Sequence, residues 1–66
     1  MIKLTTVSSS GLRAHYVAAS NVAGIRDASP NDLGIRSYVQ LFTGQTLECA
    51  DTAAQVNNMI EKDARK

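Results

Sequence analysis

The sequence predicts a small α+β domain: an antiparallel β-meander of four to five strands, with one C-terminal amphipathic helix packed on one face of the sheet. Two runs of period-two apolar alternation flank a Thr-Gly-Gln turn within residues 37–50. A capped run follows, in which apolar residues recur three and four positions apart. The pattern over residues 37–60 is therefore strand, turn, strand, helix. At this length the chain is expected to form a single domain, residues 1–66.

Alternation at the N-terminus predicts a first strand over residues 1–7, with Ile2 and Leu4 facing inward and Lys3 facing outward. Residues 8–11, Ser-Ser-Ser-Gly, are typical of a turn. A serine run beside a glycine also occurs in phosphate-binding loops, but here it has neither the GxxxxGK[ST] pattern nor a helix signal after it. We therefore expect a plain turn.

A second strand is predicted over residues 12–18, antiparallel to the first. Its larger apolar residues are expected inward, and the intervening residues outward. The inward set is Leu12, Ala14 and Tyr16, and the outward set is Arg13, His15 and Val17. Further on, Val22 and Ile25 lie three apart around Gly24, which fits a bulged strand or a single helical turn. The bent strand is favoured.

The longest predicted loop covers residues 29–36, which contain the only proline together with Asn, Asp and Gly. Leu33 and Ile35 are apolar residues inside this loop. Two interpretations stay open for them. They fold back over an edge of the core, or they form a contact surface for another chain.

Residues 37–50 predict a β-hairpin. Four apolar residues alternate with polar or aromatic ones and are expected to face the core: Val39, Leu41, Leu47 and Cys49. Gly44, between the two runs, supplies the positive φ that short hairpin loops often require.

A helix is predicted after this hairpin. Thr52 and Gln55 have the spacing of a capping box, and Asp51 beside them favours the positive end of the helix dipole. The apolar stripe of the helix consists of Ala53, Val56, Met59 and Ile60. The basic residues at its end are expected to complement the dipole from solvent: Lys62, Arg65 and Lys66.

Composition excludes several classes of function. The net charge is +1 with both signs interspersed, so no field draws the whole chain onto nucleic acid or an anionic membrane. No apolar run approaches the roughly 20 residues of a membrane span, and the N-terminus lacks the apolar core of a secretory signal. The single cysteine, Cys49, excludes an intramolecular disulfide and lacks the companion ligands of a zinc site. We expect a cytoplasmic protein without cofactor, metal or membrane partner.

The inventory of reactive groups is too thin to predict an enzyme. His15 is the only histidine and Cys49 the only thiol, and their predicted strand faces are opposite. Cys49 is expected on the apolar side, as a buried structural thiol rather than a nucleophile. Turn chemistry, capping and solvation account for the carboxylates. No catalytic residue is therefore assigned.

The predicted outer face of the sheet is the candidate site, because one helix can cover only one side. Small cores often need extra burial from a partner chain, so self-association is expected. The candidate interface residues on this face and in the loop are Lys3, Arg13, His15, Val17, Leu33, Ile35, Tyr38, Gln40 and Phe42. Tyr38 and Phe42 are the expected aromatic anchors.

These residues predict a small protein-interaction module, a homo-oligomer that also binds an unidentified protein partner. It would serve as an adaptor, assembly or regulatory factor of a bacterial or phage system. A second interpretation is a single-stranded nucleic-acid-binding protein, because aromatic residues on the same face could stack bases beside basic groups on phosphates. The residues for that role are Lys3, Arg13, His15, Tyr38 and Phe42.

The order of these elements also resembles a known family. The resemblance rests on four stretches: the opening MIKLT strand, the Val39–Gly44 run, the Asp51-Thr52 cap and the helix at 56–60. In these the chain resembles the small FlbD-like flagellar or swarming-motility proteins. The resemblance implies a β-meander with a C-terminal helix and no catalytic residues. Similarity of fold alone does not transfer a role.

Overall fold

The computed structural model describes residues 1–64 as a five-stranded antiparallel sheet and one helix. The elements are β1 (Ile2–Ser8), β2 (Gly11–Val17), a 3₁₀ turn (Ala19–Asn21), β3 (Val22–Asp27), β4 (Ser37–Leu41), β5 (Thr46–Cys49) and α1 (Ala53–Ala64). The strand order is β2-β1-β5-β4-β3. The predicted fold class is confirmed. Of the predicted basic tail, Lys62 lies in the last turn of α1, whereas Arg65 and Lys66 lie outside the described residues.

The core lies between one face of the sheet and α1. Val56 is the residue of α1 that is fully buried, and Met59 and Ile60 pack beside it. The sheet contributes Ile2, Leu4, Val17, Val39, Leu41 and Cys49. The predicted helical stripe and the predicted inward residues of β1, β4 and β5 are confirmed, because every one of them is buried or half-buried there.

The start of α1 is fixed by a reciprocal cap. The Gln55 backbone N–H donates to Thr52 Oγ1 at 3.2 Å, and the Thr52 N–H donates to Gln55 Oε1 at 2.8 Å. Two N–H groups that the helix itself cannot pair are thereby satisfied. The predicted capping box is confirmed.

A narrow seam joins the β1–β2 hairpin to the β3–β4–β5 meander. Thr6 pairs with Cys49, and the Ala50 N–H donates to the Thr5 carbonyl at 2.8 Å. The Thr5 N–H donates to the Asp51 carboxylate at 2.6 Å. Both backbone groups of Thr5 are therefore directed away from β2, and a side chain takes the place of one ladder bond.

The predicted bend in β3 and the predicted loop both occur. The register of β3 against β4 shifts between Val22 and Gly24, so β3 carries the expected bulge. In the loop, the Asn31 side-chain amide donates to the Ile35 carbonyl at 2.8 Å, and its oxygen accepts the Leu33 N–H at 3.0 Å. These bonds fold the loop so that Ile35 is buried, while Leu33 remains 68% exposed. Ile35 is thus buried beneath the loop, outside the core cluster, and Leu33 is the one of the two that is exposed to another chain.

The predicted faces of β2 are wrong. Ile2 pairs with Val17 and Leu4 pairs with His15, and directly opposite residues of an antiparallel pair share a face. Val17 is therefore buried, and the residues expected inward are turned outward. The reason is the turn: Ser8 pairs with Gly11 across only two residues, which fixes the register and hence the face of every β2 residue.

Candidate interaction surface

The face of the sheet turned away from α1 is called the outer face here. Strand register assigns its members, because paired residues share a face. They are Leu12, Ala14 and Tyr16 on β2, Lys3, Thr5 and Val7 on β1, Thr46 and Glu48 on β5, Tyr38 and Gln40 on β4, and Arg26 on β3.

Four of the predicted interface residues are available at this surface or beside it. Lys3, Tyr38 and Gln40 lie on the outer face, and Tyr38 is half-buried there. Phe42 follows β4 directly and is 73% exposed. Leu33, in the loop, is a fifth exposed member of the predicted set.

The other four predicted interface residues are not on the outer face. Val17 is buried in the core and Ile35 is buried beneath the loop, so neither is free to contact a partner. His15 and Arg13 lie on the same face as Leu4, His15 half-buried and Arg13 exposed near the hairpin tip. The Arg13 guanidinium donates to Ser10 Oγ at 3.2 Å. The inverted register of β2 accounts for three of these four errors, and the bonds of the Asn31 amide account for Ile35.

The inverted register brings different residues to the surface. Leu12 and Tyr16 are 65% and 61% exposed, with Ala14 exposed between them. Val7 pairs with Leu12 on the same face and lines a shallow depression together with Leu33. We call these five residues, Leu12, Ala14, Tyr16, Val7 and Leu33, the β2 strip. The length of the Ser9-Ser10 turn is the sequence signal that could have identified it.

Two pairs of a cation and an aromatic residue also lie on the outer face. Lys3 is opposite Tyr16 in the β1–β2 ladder, and Arg26 is opposite Tyr38 in the β3–β4 ladder. Cross-strand neighbours on one face are close enough for their side chains to interact. Each pair therefore presents a basic group beside an aromatic ring.

The thiol and the histidine do not form a reactive pair. Cys49 is fully buried, and burial, followed by the charge of Asp51, raises the pKa of its thiol to about 11. The expected buried thiol is confirmed. The expectation that His15 and Cys49 face opposite sides is wrong, since His15 pairs with Leu4 and shares the core-side face. A thiol with such a raised pKa is a poor nucleophile at neutral pH.

Within residues 1–64, no three or more His, Cys, Asp or Glu side chains are placed to hold a metal ion together. Over the same residues, no helix is long and apolar enough to cross a membrane.

The outer face thus carries an apolar strip at the β2 edge and two cation–aromatic pairs, one of which includes Tyr16 of that strip while the other lies on β3 and β4 at the opposite edge. Comparisons with known proteins add no relative to this description: no family model, no curated protein and no solved structure matches the chain.

Proposed function

We propose that this chain is a small non-catalytic protein-interaction module that acts as a homo-oligomer in an adaptor, assembly or regulatory role. The observation that carries the proposal is the exposure of large apolar side chains on and beside the outer face. Leu12, Tyr16, Leu33 and Phe42 are each more than 60% exposed. Leu12 and Tyr16 lie on one face of one strand, and exposed apolar residues grouped in this way are typical of protein contact sites.

Energetics favour occupation of this surface. Apolar area removed from water stabilises by about 25 cal/mol per Å², and a chain of this length has a small core to begin with. Buried side chains on the core side come mainly from seven residues. A partner that covers Leu12 and Tyr16 would add to this burial without any rearrangement of the fold.

Sedimentation velocity on the full chain over a hundredfold range of concentration tests the proposal. We expect the mass to rise from that of the monomer to that of a defined oligomer. Leu12→Asp and Tyr16→Asp should shift the association to at least tenfold higher concentration, because each places a carboxylate in the contact. Thr46→Asp, at an exposed polar position of the outer face, is the matched control. A wild-type chain that stays monomeric at the highest concentration would overturn the homo-oligomer.

A second candidate function is binding of single-stranded nucleic acid, which the Lys3–Tyr16 and Arg26–Tyr38 pairs favour. Aromatic rings stack on bases of any sequence, and adjacent cations neutralise phosphates. The low net charge weighs against this function, because affinity for nucleic acid comes largely from phosphate neutralisation.

Fluorescence anisotropy with labelled single-stranded oligonucleotides at several salt concentrations tests this candidate. Binding that weakens steeply with salt would support it. Arg26→Gln should then reduce affinity, whereas Arg13→Gln, on the opposite face, should leave it unchanged. If no binding is detected at low salt, the candidate is eliminated.

A further inference from the structure

We infer that the partner of β2 is a second copy of this chain, and that two copies join by antiparallel pairing of their β2 strands about a two-fold axis at Ala14. This inference rests on the homo-oligomer of the proposed function and adds its geometry. The result would be one continuous sheet of ten strands.

The first step is that β2 has an open edge. It is the terminal strand in the order β2-β1-β5-β4-β3, and it is seven residues long. Among residues 1–64, β1 is the strand that pairs with it. An edge of this length presents a row of backbone N–H and C=O groups that can pair with another strand.

The second step fixes which backbone groups point outward. Thr5 directs both its N–H and its carbonyl towards the β5 side, to Asp51 and Ala50. Ala14, which is opposite Thr5, therefore lies at a position where β1 and β2 exchange no backbone bonds, and its own N–H and C=O point to the open edge. Since the pattern alternates along a strand, Leu12 and Tyr16 present their backbone groups in the same direction.

The third step compares the two edges of the sheet. Native proteins protect open edges with bulges and with charged residues. At the opposite edge, β3 has a bulge between Val22 and Gly24 and carries the charged pair Arg26 and Asp27. The three edge-directed residues of β2 have no charge and no proline. The one Arg of β2, Arg13, lies on the other face and is bonded to Ser10, so β2 has neither a bulge nor a charge among its edge-directed residues.

The fourth step identifies the occupant as a second copy. Leu12 and Tyr16 stand two residues to either side of Ala14, so a two-fold axis at Ala14 places Leu12 of each copy opposite Tyr16 of the other. All three resulting pairs are of the hydrogen-bonded kind, and the small Ala14 side chains meet at the axis. Aliphatic–aromatic cross-strand pairs are favourable. The strand is thus self-complementary, as a two-fold interface requires.

Charge supports the same occupant. The net charge of the chain is +1, so two copies repel each other only weakly. The strip itself presents uncharged side chains, which match an uncharged strand better than an acidic or basic peptide. A second copy supplies such a strand in the required register.

Ala14→Pro tests the edge directly. Proline removes the Ala14 N–H, which points to solvent in the monomer, and it is tolerated on an edge strand for that reason. We expect circular dichroism to stay unchanged and the dimer dissociation constant to rise at least tenfold. Phe42→Asp, which alters an equally exposed apolar residue away from β2, is the control and should leave the constant unchanged. If Phe42→Asp dissociates the dimer and Ala14→Pro does not, the β2 pairing is wrong.

Charge exchange tests the register without relying on proline. Leu12→Glu and Tyr16→Lys should each weaken the dimer. The double variant should restore it to within about threefold of the wild type, because the axis at Ala14 places each new carboxylate opposite a new ammonium group. A double variant as weak as the worse single variant would overturn the register.

Cross-linking at the axis gives an independent readout. In a Cys49→Ala background, Ala14→Cys treated with oxidised glutathione should give a disulfide-linked dimer, since paired Cα atoms about 5.5 Å apart can be bridged. Gln40→Cys, exposed on the same face, is the control and should not cross-link. If the wild type is a dimer and Ala14→Cys does not cross-link, the inference fails while the proposed function stands. A monomeric wild type would remove both.

Discussion

The two hairpins of this chain carry similar apolar patterns and differ in what those patterns indicate. In the β4–β5 hairpin, Val39 and Leu41 alternate with polar or aromatic residues, and the apolar set is buried. In β2, Leu12 and Tyr16 alternate in the same manner, yet they are 65% and 61% exposed. The difference is that the core covers β4 along its length, whereas β2 is an edge strand of which only Val17 is buried.

Apolar alternation therefore indicates the buried face only where a strand is covered. Where a strand is not covered, the turn before it decides which face of the strand points towards the core. The two-residue Ser9-Ser10 turn pairs Ser8 with Gly11, and this register places Val17 beside Ile2. This register buries Val17 and leaves two larger side chains, Leu12 and Tyr16, on the outer face, where no second layer covers them in the monomer.

Truncating one leucine in each hairpin tests this comparison, and it should give the largest difference in stability. Leu41→Ala, in the covered hairpin, should lower the free energy of unfolding by about 2–5 kcal/mol, because it removes buried methyl groups and leaves a cavity. Leu12→Ala, in the uncovered hairpin, should lower it by less than about 1 kcal/mol. Urea unfolding at a concentration where the chain is monomeric measures both. Equal losses would mean that Leu12 is buried after all.

Replacing the glycine of either hairpin turn should lower the stability of the fold by a similar, intermediate amount. Gly11 and Gly44 have φ values of 115° and 96°, and a Cβ added at either would meet nothing within 4 Å. Replacement by Ala should therefore cost only backbone strain, about 1–2 kcal/mol in each case. Gly24→Ala is the control, since its φ is not positive and its Cβ would meet Gln40 Oε1 at an ordinary 3.6 Å. A thermal melt that shows a loss at only one turn would contradict the prediction.

The thiol of the covered hairpin should make the stability of the chain depend on pH. Its pKa is raised from 9.0 to about 11 in the fold, so the folded state holds the proton more tightly than the unfolded state does. The resulting stability is fully present below pH 9 and is lost as the pH rises towards 11. Urea unfolding of wild type and Cys49→Ala between pH 7 and pH 11 measures it. The difference in stability between the two should shrink above pH 9, and a constant difference would contradict the assignment.

Much of the fold follows from local sequence. The Thr52–Gln55 cap, the Gly44 turn and the helical stripe through Val56 each depend on residues within one turn of one another, and all were predicted. The seam between β1 and the β3–β4–β5 meander does not follow from local sequence. The Thr5 N–H and the Asp51 carboxylate lie 46 residues apart, and no local pattern connects them.

The candidate site was predicted less completely for the same kind of reason. Lys3, Tyr38 and Gln40 were placed on the correct face because their strands have covered neighbours. Apolar alternation alone places Arg13 and His15 on the wrong face, because the Ser9-Ser10 turn fixes the register of β2. The burial of Ile35 cannot be predicted from periodicity, since the Asn31 bonds that accompany it join side chain to backbone.

The Ser9-Ser10 turn has a consequence for how such a chain can change over generations. A single codon gained or lost there would turn β2 over, so that Arg13 and His15 faced outward and Leu12 and Tyr16 faced the core side, with no side chain in the strand altered. Insertion or deletion at this one tip would thus exchange a surface of Leu12 and Tyr16 for one of Arg13 and His15 in a single event, whereas substitution would need several steps.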